Sequence, residues 1–234
     1  MSRPYTTVLI AAAGLGARMQ LGKNKQFLEI DKVPMVIHTL EKFDSLDCVD
    51  HIILLIRRED REEMRGLLDA HPFQHEIQLV LGGVERQDSI YNGLMAMPRE
   101  TELVITHDGA RPFVRRERIL EILAAAEEYG ACCLVSPMID TVKISDDGIW
   151  SRLTPDRSKL FAVQTPQGFH REVILEAYHQ AFSEGYYGTD DCSLVEKTGR
   201  SVRLVPGDFT NIKVTTPEDI IFAKAIYGGD QPCA

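Results

Sequence analysis

The strongest constraint on the fold is an alternation in the apolar pattern of the chain. Residues 6–12 read as an unbroken strand buried on both faces, and Val33, Val36, Ile37, Leu40 and Phe43 then follow at helical spacing. Strand and helix character go on alternating: strand 51–56, helix 58–70, strand 77–81, helix 86–97, strand 102–106, helix 115–129 and strand 131–137. Such a succession predicts an α/β fold, a mostly parallel sheet with helices on both faces. The pattern breaks between 138 and 164, where residues 141–144, a turn at Asp146-Asp147-Gly148 and residues 149–153 read as a β-hairpin. This stretch has too little apolar surface to be a domain, so it must lie on the body or reach another subunit. Helical period returns at 172–184, and a strand follows at 202–205. The last helix opens at Thr216-Pro217-Glu218-Asp219, with Thr216 as N-cap, Pro217 at the first helical position and acids in the first turn. The chain reads as one domain over residues 1–234 with an inserted arm at 138–164.

Charge removes one class of function. Against 35 acidic side chains stand 26 basic ones, a net charge of −9, which disfavours a basic face that holds nucleic acid. The 44% hydrophobic content is enough for a sizeable core. The apolar run from Val8 to Ala13 is far shorter than the roughly 20 residues of a membrane helix. Arg3 alone before it makes a poor signal-peptide start, so no membrane association and a cytoplasmic location are expected. Five cysteines without a Cys-x-x-Cys pair suggest neither a disulfide framework nor a zinc ribbon. They read as small buried hydrophobes, with Cys233 in a frayed tail.

Three glycine- or aspartate-bearing clusters follow strands, at the carboxyl edge where α/β ligands bind. The first is Ala11-Ala12-Ala13-Gly14-Leu15-Gly16-Ala17-Arg18-Met19, whose backbone N–H groups can approach phosphate oxygens. Ala12, Ala13, Gly14 and Gly16 are therefore candidate nucleotide contacts. Met19 replaces the third glycine of a dinucleotide loop, and Ala17 and Asn24 break the P-loop pattern. Cations are present instead: Arg18, Lys23 and Lys25 in an otherwise acidic protein suggest compensation of several phosphate charges. The second cluster is Gly82-Gly83-Val84-Glu85-Arg86-Gln87-Asp88-Ser89. In the third, His107-Asp108-Gly109-Ala110-Arg111-Pro112, Asp108 is placed to hold a magnesium ion or a sugar hydroxyl, and His107 reads as a packed histidine. Near the end, Asn211-Ile212-Lys213-Val214-Thr215 puts a lysine between a strand and a capped helix. No Gly-x-Ser-x-Gly or His-Glu-x-x-His occurs, and Pro72 spoils His71 and His75 as a helical ligand pair, so hydrolase triads and zinc peptidases have no support.

As a set, these motifs resemble the 2-C-methyl-D-erythritol 4-phosphate cytidylyltransferases. The resemblance runs from the Ala-Ala-Gly-x-Gly-x-Arg-Met loop and its Lys-Gln-Phe through Gly-Gly-x-x-Arg-x-Asp-Ser and His-Asp-x-Ala-Arg-Pro. It continues through Asp-Thr-Val-Lys, Gln-Thr-Pro-Gln, Thr-Asp-Asp and Asn-Ile-Lys-Val-Thr. It implies a Rossmann-like, seven-stranded mixed sheet of the nucleotide-diphosphosugar transferase type and a homodimer joined by the arm. The implied reaction takes CTP and methylerythritol phosphate to the CDP-alcohol and pyrophosphate, with magnesium as cofactor.

Carried over by motif position, Arg18 and Lys25 resemble the pair that neutralises the triphosphate and the transition state. Gly82, Gly83, Asp88 and Ser89 resemble the cytosine-reading turn, the glycines leaving room for the base. Asp108 and Arg111 resemble residues near ribose, metal and acceptor, with Asp108 the only protein ligand named for the metal. Arg157 and Lys213 resemble those that position the acceptor phosphate, and Thr141, Thr165 and Thr189 look like further hydroxyl contacts to it. Asn24, Gly109 and Cys192 stand where many members have Pro, Ala and Ala. A similar branch that acts on ribitol 5-phosphate shares the nucleotide motifs, and Asp140-Thr141 with Arg157 incline the reading to methylerythritol phosphate. A non-catalytic nucleotide sensor would have no need of Arg18, Lys25, Arg157 and Lys213 around one phosphate chain. A dehydrogenase would want an acid where Arg57 and Arg58 sit.

Overall fold

Val8, Leu9 and Ile10 of strand β1 (Thr6–Ala11) are all fully buried, which requires cover on both faces of the sheet. β1 pairs in parallel with β4 (His51–Ile56) on one side and β6 (Leu103–Asp108) on the other, and β5 (Ile77–Leu81) continues the parallel run beyond β4. The other half of the sheet holds β7 (Ala131–Pro137), β8 (Phe161–His170) and β9 (Arg203–Pro206), giving seven strands in the order β5-β4-β1-β6-β8-β7-β9. β8 runs antiparallel to both its neighbours, and every other pairing is parallel. A separate two-stranded pair, β2 (Glu29–Ile30) and β3 (Val33–Pro34), turns tightly through Asp31 and Lys32. The computed structural model describes residues 3–14 and 24–229.

Alternate β1 side chains feed two separate cores. Val8 and Ile10 pack with α1 (Met35–Asp44), α2 (Arg61–Asp69) and α4 (Arg116–Tyr129) on one face. Leu9 packs with α3 (Arg86–Ala96), α5 (Arg171–Ser183) and α6 (Asp191–Lys197) on the other. A third, smaller cluster seats α7 (Pro217–Gly229) through Ala223 against Ile30, Met35, Phe113 and Val214. Cys132, Cys133 and Cys192 are buried thiols in these cores, and burial pushes the Cys132 thiol up to about 12. Cys233 lies outside the described residues. Among those residues no helix is long and apolar enough to cross a membrane.

The expected strands at 51–56, 77–81 and 131–137 agree with β4, β5 and β7 residue for residue. Three features depart from expectation. β8 was not anticipated, because Pro166 and Gly168 interrupt its apolar pattern. The sheet accepts them through a shift of register in which β7 pairs Cys133 with Gln167 and Val135 with Val163, leaving residues 164–166 opposite Leu134 alone. α6 was not anticipated either; at seven residues it is too short to show a period, and it is held by a capping box between Asp190 and Ser193. The hairpin expected at 141–153 is reduced to one antiparallel bridge, between Ile144 and Leu153. Ile149 (78% exposed) and Trp150 (77% exposed) at its tip touch no core of this chain.

Gly168 sits where α4 crosses β8. A Cβ there would come within 2.9 Å of Ala126 Cβ, 3.0 Å of Ile122 Cγ2 and 3.1 Å of Cys132 Sγ. Gly168→Ala should therefore destabilise the fold by about 1–3 kcal/mol through overpacking, read as a lower urea midpoint. An unchanged midpoint would show that α4 can move away from the sheet at no cost.

Candidate active site

The carboxyl ends of β1, β5 and β6 open onto a cleft of about 340 Å³. Of the residues expected to act, Ala13, Gly14, Lys25, Gly83, Ser89, Asp108 and Lys213 line it. Ala12 is buried just beneath, its N–H donating to Leu55 O at 2.9 Å. Gly16, Arg18 and Lys23 lie outside the described residues.

One end of the cleft is a glycine turn, which also brings the charged side chains of Glu85 and Arg86 to the lining. Ser89 Oγ accepts from Gly83 N at 3.0 Å and donates to Glu85 O at 3.0 Å, which closes residues 83–89 on themselves. Gly82 must be glycine because a Cβ would lie 2.5 Å from Ala13 Cβ and 2.7 Å from Ser89 Oγ. At Gly83 a Cβ would run into Asp88 Cβ, so the immediate need for glycine there is the turn itself rather than room for a ligand. Asp88 is not a lining residue: its carboxylate accepts from Glu85 N at 2.9 Å, as half of the capping box that starts α3.

The other end is cationic. Lys25 follows Asn24, whose side chain accepts from Gln26 N at 3.1 Å and donates to Asp60 Oδ2 at 2.6 Å. The buried Lys25 ammonium donates to Val214 O at 3.0 Å. Lys213 is brought in by its neighbours in sequence. Val214 N donates to Ala110 O at 2.9 Å, and the buried Asn211 amide donates to Thr165 O at 2.9 Å and to Gln164 Oε1 at 3.2 Å. The shifted register of β8 is what turns Gln164 and Thr165 towards this segment.

Asp108, at the end of β6, is the centre of the charge arrangement. Its carboxylate lies 2.8 Å from Lys213 Nζ, 3.1 Å from Arg86 Nε and 3.5 Å from Arg111 Nε, and its N–H donates to Thr165 Oγ1 at 3.0 Å. Burial alone would raise its pKa. The charges of Arg86, Lys213 and Arg111 outweigh that and hold it far below the usual carboxylate range. Arg111 responds the other way, since its own burial lowers its pKa more than Asp108 raises it. Its Nη1 donates to Asn211 O at 2.7 Å.

Arg86 was missed as a site residue. It lines the cleft, and its guanidinium forms a two-pronged pair with Asp191, Nη1 to Oδ1 at 2.9 Å and Nη2 to Oδ2 at 3.0 Å. Burial would lower its pKa, and Asp191 with Asp108 raise it well above the ordinary value. Asp191 is itself buried, and it accepts from Tyr178 Oη and Thr106 Oγ1, each at 2.6 Å. The available signal was position: Arg86 is the arginine of Gly-Gly-x-x-Arg and Asp191 the last acid of Thr-Asp-Asp. Gln26, next to Lys25, and Thr215, two residues after Lys213, also line the cleft. Lys25, Arg86 and Lys213 line the cleft with Arg111 behind Asp108, against Glu85 and Asp108 on the lining and Asp191 behind Arg86, which leaves one positive charge over, suited to a phosphate chain.

The remaining expected residues do not line this cleft. Thr141 and Arg157 are exposed on the segment that leaves the body, where the Arg157 guanidinium donates to Ile139 O. Thr189 is exposed in the loop between α5 and α6.

A cation-lined cleft over the carboxyl ends of a mostly parallel sheet defines an α/β enzyme that acts on a phosphate chain. The sequence pattern of IspD, 2-C-methyl-D-erythritol 4-phosphate cytidylyltransferase, matches residues 6–228. A protein of that name from Bacillus velezensis is 48% identical over 220 residues, 94% of each chain. One from Bacillus cytotoxicus is 45% identical over 220 residues, 94% of this chain and 96% of that one. Among solved structures, 4-diphosphocytidyl-2C-methyl-D-erythritol synthase from Anaerococcus prevotii superposes with a TM-score of 0.86 at 34% identity, covering 96% of both chains. The chain belongs to the 2-C-methyl-D-erythritol 4-phosphate cytidylyltransferase family, and it is a nucleotidyltransferase.

His107 offers a test of how closed the floor of the site is. It is fully buried, its Nε2 lies 3.1 Å from Arg111 O, and burial pushes its pKa down to about 4. The unfolded chain binds a proton here near pH 6.5 and the folded chain only near 4, so acidification across that window should remove stability. Imidazole resonances followed by NMR should show His107 neutral at pH 6, with the proton on Nε2. A midpoint near 6.5 would contradict the burial.

Proposed function

We infer that the cleft carries out the cytidylyl transfer of its family: CTP and 2-C-methyl-D-erythritol 4-phosphate give 4-diphosphocytidyl-2-C-methyl-D-erythritol and pyrophosphate. The observation that supports this reading is the arrangement of the cleft, a glycine turn at Gly82–Ser89 with free space beside it and the Lys25, Lys213 and Asp108 cluster on the same lining. The cytosine lies against the turn, where backbone groups and Ser89 Oγ can meet its polar edge. The triphosphate lies towards Lys25 and Lys213, joined by Arg18 at its motif position. An oxygen of the acceptor phosphate attacks the α-phosphorus, and the bond from that phosphorus to the bridging oxygen of the β-phosphate breaks, releasing pyrophosphate. The attacking group is already ionised and needs no base, so catalysis consists of alignment and charge compensation.

Magnesium fits this donor set. Among the described residues no group of three His, Cys, Asp or Glu side chains could cage a metal, whereas Asp108 is an ionised carboxylate on the cleft wall. Asp108 would hold such an ion alongside substrate phosphates, and the ion would neutralise charge on the phosphate chain.

The same reading makes the protein a homodimer working in the cytoplasm, beside its nucleotide substrate. Support for the dimer comes from the exposed apolar side chains Ile149, Trp150 and Leu153 on segment 138–164, and Phe161, Val163 and Leu204 beside its root. Pairing of two arms would carry Thr141 and Arg157 of each chain to the partner's cleft. There they would meet the acceptor together with Arg111, Thr165, Thr189 and Lys213.

Pyrophosphate release is the test. Release from CTP should require methylerythritol phosphate and should not occur with ribitol 5-phosphate; the reverse preference would overturn the acceptor assignment. Lys25→Ala and Arg18→Ala should each lower turnover more than CTP affinity, by about 2.7–4 kcal/mol in the barrier, since the charge they meet develops in the transition state. Near-normal turnover at saturating substrates would remove them from the chemistry.

Mixing inactive Arg157→Ala and Lys25→Ala chains tests the arm. With complete exchange about half of the dimers are mixed and each holds one intact site, so roughly a quarter of wild-type activity should return. No recovery, with exchange verified by mass, would confine Arg157 to its own chain or place it outside the site.

A further inference from the structure

Three successive residues at the start of α3 each grip the segment 186–191 between α5 and α6. Arg86 holds Asp191, as described above, and Asp88 Oδ1 accepts from Tyr187 Oη at 3.1 Å. Between them Gln87 takes the backbone itself: its Nε2 donates to Tyr186 O at 3.1 Å and its Oε1 accepts from Gly188 N at 3.0 Å. Gln87 is buried, whereas Tyr186, Tyr187 and Thr189 are exposed. Residues 186–188 belong to no helix or strand. On its other side the segment lies flat on α6, since a Cβ at Gly188 would run into Ser193 Oγ and come within 2.6 Å of Leu194 Cδ2.

We propose that Gln87 is a positioning residue for the acceptor. By holding the backbone on both sides of Tyr187, its amide fixes where Thr189 stands relative to the wall built by Arg86 and Asp191. This rests on the reading of Thr189 as an acceptor contact. A loop without regular structure must otherwise be ordered when substrate binds, and ordering it beforehand removes that cost. The effect falls on one substrate only. The glycine turn closes through Gly83, Glu85 and Ser89 and makes no use of the Gln87 side chain.

Gln87→Met keeps the length and volume of the side chain and removes both hydrogen bonds. In steady-state assays with both substrates varied, KM for methylerythritol phosphate should rise about tenfold while KM for CTP stays within about twofold. The double variant Gln87→Met/Thr189→Ala should bind the acceptor no worse than Thr189→Ala alone, because Gln87 acts through Thr189. An unchanged acceptor KM in Gln87→Met, an equal rise for both substrates, or fully multiplicative effects in the double variant would each overturn the proposal. Thr189→Ala with an unchanged acceptor KM would instead overturn the role of Thr189, a failure visible in that single variant. If a thermal melt shows Gln87→Met unfolded, Gln87→Glu takes its place. It keeps an acceptor for Gly188 N–H and loses the donor to Tyr186 O, and the same split between the two KM values is expected.

Discussion

A single buried carboxylate organises the site. Asp108 stands at the end of β6 within ion-pairing distance of Arg86 from α3, Arg111 from the following turn and Lys213 from the segment before α7, and its N–H reaches Thr165 on β8. Elements distant in sequence are thereby fastened to one point. A buried charge survives only when compensated, and removing one partner of such a pair costs about 3–5 kcal/mol. Each partner is secured in turn, Arg86 by Asp191 with Tyr178 and Thr106 behind it, and Arg111 by the carbonyl of Asn211.

The chemistry follows from what this arrangement leaves over. Glu85, Asp108 and Asp191 leave one positive charge over among Lys25, Arg86, Arg111 and Lys213. The glycine turn offers backbone groups and a hydroxyl, beside the charged side chains of Glu85 and Arg86. A nucleoside triphosphate divides into an uncharged base and a polyanionic tail. In the proposed reading the base meets the glycine turn and the phosphates meet Lys25 and Lys213, with the acceptor approaching the α-phosphorus from the side of Lys213.

Much of this was legible in the sequence because the relevant signals are local. The parallel half of the sheet consists of unbroken apolar runs, and the functional clusters directly follow strands, so Lys25 and Asp108 could be named from position and chemistry, whereas the roles of Ser89 and Lys213 came with the family resemblance. β8 was illegible because its irregularity, Gln164-Thr165-Pro166 opposite one residue of β7, makes sense only against its neighbours. Arg86 and Asp191 escaped for a similar reason: their meaning is a contact across 105 residues. Gly83 was expected to make room for a base, and the structure gives a nearer cause in Asp88, whose approach across the turn is not revealed by spacing. The acceptor contacts Thr141, Arg157 and Thr189 were suggested by family resemblance, and in this chain they stand apart from the cleft lining.

The most direct measurement of the central claim, that the glycine turn takes the base and Lys25 and Lys213 take the phosphates, is a crystal structure with CTP and magnesium bound. The cytosine should lie against Gly82–Ser89, with the triphosphate within hydrogen-bonding reach of Lys25 and Lys213. A nucleotide bound in the opposite sense, with its phosphates at the glycine turn, or bound outside this cleft, would contradict it.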